Sequence, residues 1–274
     1  MVGCRAHDYG RSTPANIARM LHEDGWEGGQ IAVQKLINGF NSFAEITPAV
    51  CEEIYQEFQK YGMTTPVLGY YIQPQLADKE ARMEQVRLFK CGLDHSLLMG
   101  GAYVATETGN FPINGPMSER RPLFENVVDT FLRCADHATK IGAQIAVEPA
   151  VPHTLGTIDL VLELLERVDA PCMHITFDPV NMLVPEGLED QKSYWQKHFD
   201  AFGEKIVVCH IKDGHYVGDK FEEVKLGEGV IDFDVLFKWL NKNKPGIPLL
   251  REWTAPDRAK DEANFLRMMC AKQF

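Results

Sequence analysis

The chain has 274 residues, the ordinary size of one (β/α)8 barrel, so a second domain need not be invoked. It is 45% hydrophobic, 10% aromatic and 24% charged, which excludes a disordered, collagenous or coiled-coil protein. With 28 Lys and Arg against 39 Asp and Glu the formal charge is −11, and no local basic patch offsets it, so a nucleic-acid partner is not expected.

A short apolar, often β-branched run followed by a longer stretch of helical spacing recurs along the sequence. Strands are predicted over residues 2–5, 31–36, 66–71, 96–104, 144–147, 173–177, 205–209 and 247–250, far enough apart for one crossover helix between neighbours. Helices are predicted over 47–61, 123–141, 157–168, 233–240 and 261–269. The first has Thr47 at a cap position, Pro48 at the first helical position and apolar residues near i, i+4 and i+7. Strands alternating with helices imply a parallel sheet covered by helices. The expectation is a single α/β domain over residues 1–274, a closed (β/α)8 TIM barrel. A doubly wound open sheet is the alternative, but no G-x-G-x-x-G follows the first strand. No G-x-x-x-x-G-K-[ST] loop occurs either, which argues against nucleoside triphosphates.

No apolar run approaches the roughly 18 residues of a membrane helix, and residues 1–20 lack the apolar core of a signal peptide. The seven cysteines are odd in number and form no C-x-x-C, the pattern of reduced, mostly buried thiols. A cytoplasmic protein acting on a small molecule is expected.

The informative feature is what ends the late strands. QIAVEP ends in Glu148, MHITFDPVN in Asp178, IVVCHIKD in His210 and PLLREW in Glu252. In a barrel all four sit at the C-terminal mouth, where sites of this fold are built. Three carboxylates and an imidazole suit one divalent cation of the Mn²⁺, Mg²⁺, Co²⁺ or Zn²⁺ kind. A single strand-end carboxylate more often caps a helix or pairs with a basic residue. Four on consecutive strands differ, because gathering buried carboxylates is costly unless a cation compensates.

H-I-K-D at 210–213, L-G-E-G-V-I-D-F at 226–233, V-E-P at 147–149 and F-D-P-V-N at 177–181 resemble the xylose isomerase-like barrel superfamily of sugar isomerases and epimerases. That superfamily also holds endonuclease IV-type repair enzymes and inosose dehydratases. The resemblance implies that Glu148, Asp178, His210 and Glu252 ligate one divalent metal. The repair branch carries D-x-H just before L-G-E-G and a His three residues after the sixth-strand Asp. Here the segment 221–225 is FEEVK and the later position is Asn181, which argues against that branch.

What remains is proton abstraction next to a carbonyl, through a cis-enediolate. Glu148 and Glu252, from the fifth and eighth strands, are expected on different sides of the mouth as the catalytic acid/base pair. The implied activity is a metal-dependent sugar isomerase or ketose-type epimerase acting on a small carbohydrate. Ketose 3-epimerases have His where this chain has Asn181, which can bond a hydroxyl but cannot exchange a proton near neutral pH. An inosose-dehydratase-like lyase and a carbohydrate-binding barrel without turnover are the alternatives.

Asn181, Lys212, His153 and His7 are candidate substrate contacts. Lys212 shares strand parity with His210 and is equally a partner for a neighbouring Asp. His153 and His7 lie on loops at the mouth and are equally ordinary loop residues. Trp253 is read as core packing, and Glu107 as a helix cap. A homodimer or homotetramer is expected by analogy with other barrels.

Overall fold

The computed structural model describes residues 1–218 and 220–274. Its strands in chain order are β1 (Val2–Arg5), β2 (Gly28–Ile31), β3 (Thr64–Gly69), β4 (Tyr103–Thr106), β5 (Ile145–Val147), β6 (Met173–Phe177), β7 (Ile206–Ile211), β8 (Asp213–Val217), β9 (Lys220–Val224) and β10 (Leu249–Arg251). Eight of them form a closed parallel barrel in the order β1-β10-β7-β6-β5-β4-β3-β2, with β1 pairing both β2 and β10. The fold is the expected (β/α)8 barrel. β8 and β9 are an antiparallel hairpin set on the mouth after β7, which the sequence reading did not anticipate.

Helices follow from their caps. Thr47 accepts from Val50 N ahead of the helix Pro48–Gln59, and Thr157 accepts from Leu160 N ahead of Ile158–Val168. The predicted helices are present, as Pro48–Gln59, Met117–Ile141, Ile158–Val168, Phe233–Asn243 and Ala259–Ala271. Pro14–Glu23, Lys79–Leu97 and Gln191–Phe202 were not predicted, although Thr13-Pro14 repeats the Thr47-Pro48 signal.

Two early strands differ from expectation. β2 ends where the predicted strand begins, because Val33–Leu36 turns into a single helical turn. The run predicted over 96–104 begins inside the helix Lys79–Leu97. Gly100 and Gly101, with φ of 74° and 78°, stop that helix before β4 starts at Tyr103.

The main core lies between the barrel and its helices, and Val67, Ala105, Val208 and Leu250 form a separate small apolar cluster. These four share the inward parity of their strands. At the same level Gly3 and Gly28 let β1, β2 and β3 approach closely, since a Cβ on Gly28 would meet Thr64 O at 2.4 Å. Two residues further along, the inward positions turn polar: Arg5, Gln30, Glu107, Glu148, Asp178, His210 and Glu252. The barrel thus carries a polar ring above an apolar plug. All seven cysteines are free, five of them buried, and no helix among the described residues is long and apolar enough to cross a membrane.

Candidate metal centre and barrel mouth

β5, β6 and β7 bring three groups together. Glu148 is fixed by its N–H, which donates to Thr106 O at 3.0 Å. Asp178 caps the short helix Pro179–Met182, one oxygen accepting from Asn181 N at 3.1 Å. His210 lies within β7 itself. One ligand atom from each of Glu148, Asp178 and His210 lies within 4.8 Å of the others, and all three residues are buried.

Glu252 falls outside that close group but adjoins it. His210 Nδ1 is 3.3 Å from Glu148 Oε2 and 3.3 Å from Glu252 Oε1, so the two carboxylates meet at one ring nitrogen. Glu252 also meets Arg5 Nη1 at 3.3 Å and Lys212 Nζ at 3.0 Å.

Lys212 is buried in the cluster. Its ammonium is 2.7 Å from Asp178 Oδ2, donates to Asn181 Oδ1 at 2.8 Å, and sits 4.6 Å from the centre of the Trp253 ring. Asn181 in turn donates through Nδ2 to Glu148 Oε1 at 2.6 Å. Both predicted contacts are thus in the site, with their polar atoms already engaged by protein partners. Trp253 is a half-buried wall under Lys212 rather than core, held at the unusual positive φ of 60°.

Electrostatics follow from this crowding. Burial pushes the Asp178 carboxyl up, to about 6, against the pull of Lys212. Burial would raise Glu252 too, but Lys212, His210 and Arg5 hold it well below the usual carboxylate range. Burial lowers His210, yet Glu148 and Glu252 prevail and lift it to about 9.

The donor set fits a divalent cation. It offers two carboxylates and an imidazole at short range, and neither ring nitrogen of His210 has an aligned hydrogen-bond partner. A buried imidazole left this way is what a metal ligand looks like before it is engaged.

The far side of the ring is built from β1 to β4. His7 lies in the one-turn helix Ala6–Tyr9 directly after β1, and burial lowers its pKa to about 3. His153 is buried, with Nε2 3.9 Å from Glu107 Oε2. Glu107 caps no helix, since Met117–Ile141 starts without a side-chain cap. Burial, with Glu148 and Glu252 nearby, lifts its pKa to about 7.

The H-I-K-D and L-G-E-G segments are tied together by Asp213. Its buried carboxylate accepts from the N–H groups of Gly214, Gly227, Gly229 and Ile231 at 2.9, 3.0, 2.9 and 3.2 Å. A Cβ on Gly229 would lie 2.1 Å from Asp213 Oδ1, which is why glycine stands there. Arg5, Gln30 and Tyr71 belong to the mouth and were missed in the sequence. Arg5 ends β1 just as Glu148 follows β5, although β1 was bounded correctly, whereas Gln30 lies in β2, which was misplaced.

A family model described as a xylose isomerase-like TIM barrel matches residues 18–269. A search of curated proteins returned no significant match. Among solved structures, a 3-keto-D-glucoside 4-epimerase from E. coli is 16% identical, covering 98% of each chain with a TM-score of 0.75. A probable 3-DHS dehydratase from Bacillus anthracis is 16% identical over 97% of this chain and 98% of that chain, TM-score 0.71. The IOLI protein, solved with a bound zinc atom, is 17% identical over 100% of this chain and 98% of that chain, TM-score 0.74. At these identities the likeness is one of fold.

Proposed function

Since the chain belongs to the xylose isomerase-like TIM barrel family, we propose that it is a divalent-metal-dependent isomerase or epimerase of a small polyhydroxy ketone. The observation that carries the reading is the buried grouping of Glu148, Asp178 and His210, with Glu252 against the same imidazole nitrogen that faces Glu148. Those three residues would hold the metal, with Glu252 as the fourth ligand. A cation there supplies positive charge where negative charge develops on the substrate carbonyl oxygen.

The chain's own residues do the proton work. Glu148 and Glu252 follow β5 and β10 directly and both reach His210 Nδ1, so a substrate carbon held over that nitrogen would be within reach of both. One takes the α-proton and the other returns a proton to the enediolate. Asn181 holds the Glu148 carboxylate in place through Nδ2, and Lys212 holds Glu252 through Nζ. The burial of Glu148, Asp178, His210 and Glu252 would limit access of bulk water while the enediolate exists.

The test is NMR in D₂O with a panel of ketoses and inososes, repeated with Glu148→Gln and with chelator. Deuterium entering the carbon beside the carbonyl, and lost in both controls, supports the reading. No exchange from metal-loaded protein with any compound overturns it in favour of a binding protein. Exchange accompanied by water loss and a new ultraviolet chromophore turns it into a lyase, a reading favoured by the likeness to a dehydratase.

A further inference from the structure

Around the closed barrel β2 and β3 stand opposite β6 and β7, and on that side three polar side chains converge on Tyr71, just beyond β3. The Gln30 amide is hydrogen-bonded to the Tyr71 hydroxyl at 2.5 Å. Lys35 Nζ lies 4.1 Å from the centre of the Tyr71 ring. The His7 ring meets Tyr71 edge-on, with centroids 6.5 Å apart.

Each of the three lacks something. Gln30 is fully buried, and its second amide atom has no partner. Turning the amide over exchanges oxygen and nitrogen but still leaves one of them unpartnered. His7 Nδ1 is buried without a partner as well. A buried polar atom left unpaired costs about 1–3 kcal/mol, so two in neighbouring side chains at the mouth mark a place where a polar ligand belongs. Lys35 makes no ion pair within 4.0 Å among the described residues. Lys35 is an exposed residue whose pKa is lowered by burial of its stem and by the Arg5 guanidinium, and the carboxylates of Glu107, Glu252 and Asp8 act on it only from beyond ion-pair distance. A neutral hydroxyl would satisfy Gln30 and His7 and leave Lys35 as it is. An oxyanion satisfies all three.

We propose that His7, Gln30 and Lys35, gathered around Tyr71, form a subsite for an oxyanion substituent of the substrate. The substrate class is then a polyhydroxy ketone that carries a carboxylate or a phosphate. This rests on the reading above that the reacting carbons lie against Glu148 and Glu252.

The experiment is calorimetric binding of D-fructose, 5-keto-D-gluconate and D-fructose 6-phosphate to the full chain, with chelator present, at low and high salt. At least one of the two anions should bind about tenfold tighter than D-fructose, a preference that salt weakens. Preference for the keto acid alone identifies a carboxylate subsite, and preference for the phosphate ester alone a phosphate subsite. Lys35→Gln should remove the preference, and Lys35→Arg should keep most of it. Equal affinities for the three compounds, no measurable binding of any, or a preference that survives Lys35→Gln overturns the proposal. None of these readouts requires metal or turnover, so deuterium exchange succeeds or fails separately.

Discussion

Asn181 and Lys212 lock together, the Asn181 amide oxygen accepting from Lys212 Nζ at 2.8 Å while its nitrogen donates to Glu148 at 2.6 Å. One short amide thus links the ammonium to a proposed proton-transfer carboxylate, and Lys212 itself continues to Asp178 and Glu252. Replacing Asn181 with Leu, of similar size, should lower the rate of α-proton exchange by about tenfold to a hundredfold, because the Glu148 carboxylate loses the donor that orients it. Substrate affinity should change less than the rate. A rate equal to wild type would show that the amide orients nothing of consequence.

Metal affinity should divide the four acidic and imidazole residues unequally. Glu148, Asp178 and His210 form the compact group, and Glu252 is shared with Arg5 and Lys212. Titration of Mn²⁺ or Zn²⁺ should give about one site per chain. Glu148→Gln, Asp178→Asn and His210→Ala should each weaken it by about a hundredfold or more, and Glu252→Gln by clearly less. Four equal losses would mean that Glu252 binds the metal as strongly as the other three ligands.

Acid should find His7. Burial first, then Arg5 and Lys35, lower its pKa to about 3, whereas an unfolded histidine titrates near about 6.5. Between those values the unfolded chain binds a proton that the folded chain refuses. The stability contributed by neutral His7 is therefore intact above about pH 6.5 and is lost as pH falls toward 3, by at most about 1.4 kcal/mol per pH unit. Melting of wild type and His7→Gln compared between about pH 7 and about pH 5 should show the wild type losing stability more steeply. Parallel curves would mean that His7 is protonated in the folded protein.

Asp213 is the clasp of the loop 226–232. Asp213→Ala leaves four backbone N–H groups without their acceptor and should cost about 2–4 kcal/mol of stability. Hydrogen exchange at Gly227, Gly229 and Ile231 should rise well beyond the change elsewhere in the chain. Uniform loss of protection would point to a role in global folding only.

The sequence was most legible where strands are apolar to their ends. The strand predicted at 173–177 is β6 itself, and those predicted at 144–147 and 205–209 overlap β5 and β7 closely, so the residues read as ending them, Asp178, Glu148 and His210, are the three that the barrel gathers. β2 was lost because it reads Gly-Gly-Gln-Ile, and glycines ordinarily signal a turn. Here they are present because a side chain at Gly28 would strike the carbonyl of Thr64. With β2 misplaced, Gln30 lay outside any predicted strand, and the polar ring on the β1–β3 side stayed hidden. The capping expectation for Glu107 failed because the helix after β4 begins at Met117, ten residues further on. The motif reading quoted H-I-K-D and L-G-E-G together but gave Asp213 no role; in the structure it is the residue that ties the two segments.

The four-residue plug of Val67, Ala105, Val208 and Leu250 acts as a septum. Above it stand the ionisable groups of the mouth, and at inward positions below it lie Gln144 and His174, bonded to each other at 2.8 Å. A proton released at the mouth meets in that direction the plug's apolar side chains and the Thr176 hydroxyl, which has no hydrogen-bond partner, so no continuous relay leads down and the proton leaves by the way the substrate came in. The barrel is in this respect a cup and not a tube: whatever is exchanged at its rim is exchanged with one side of the solvent only.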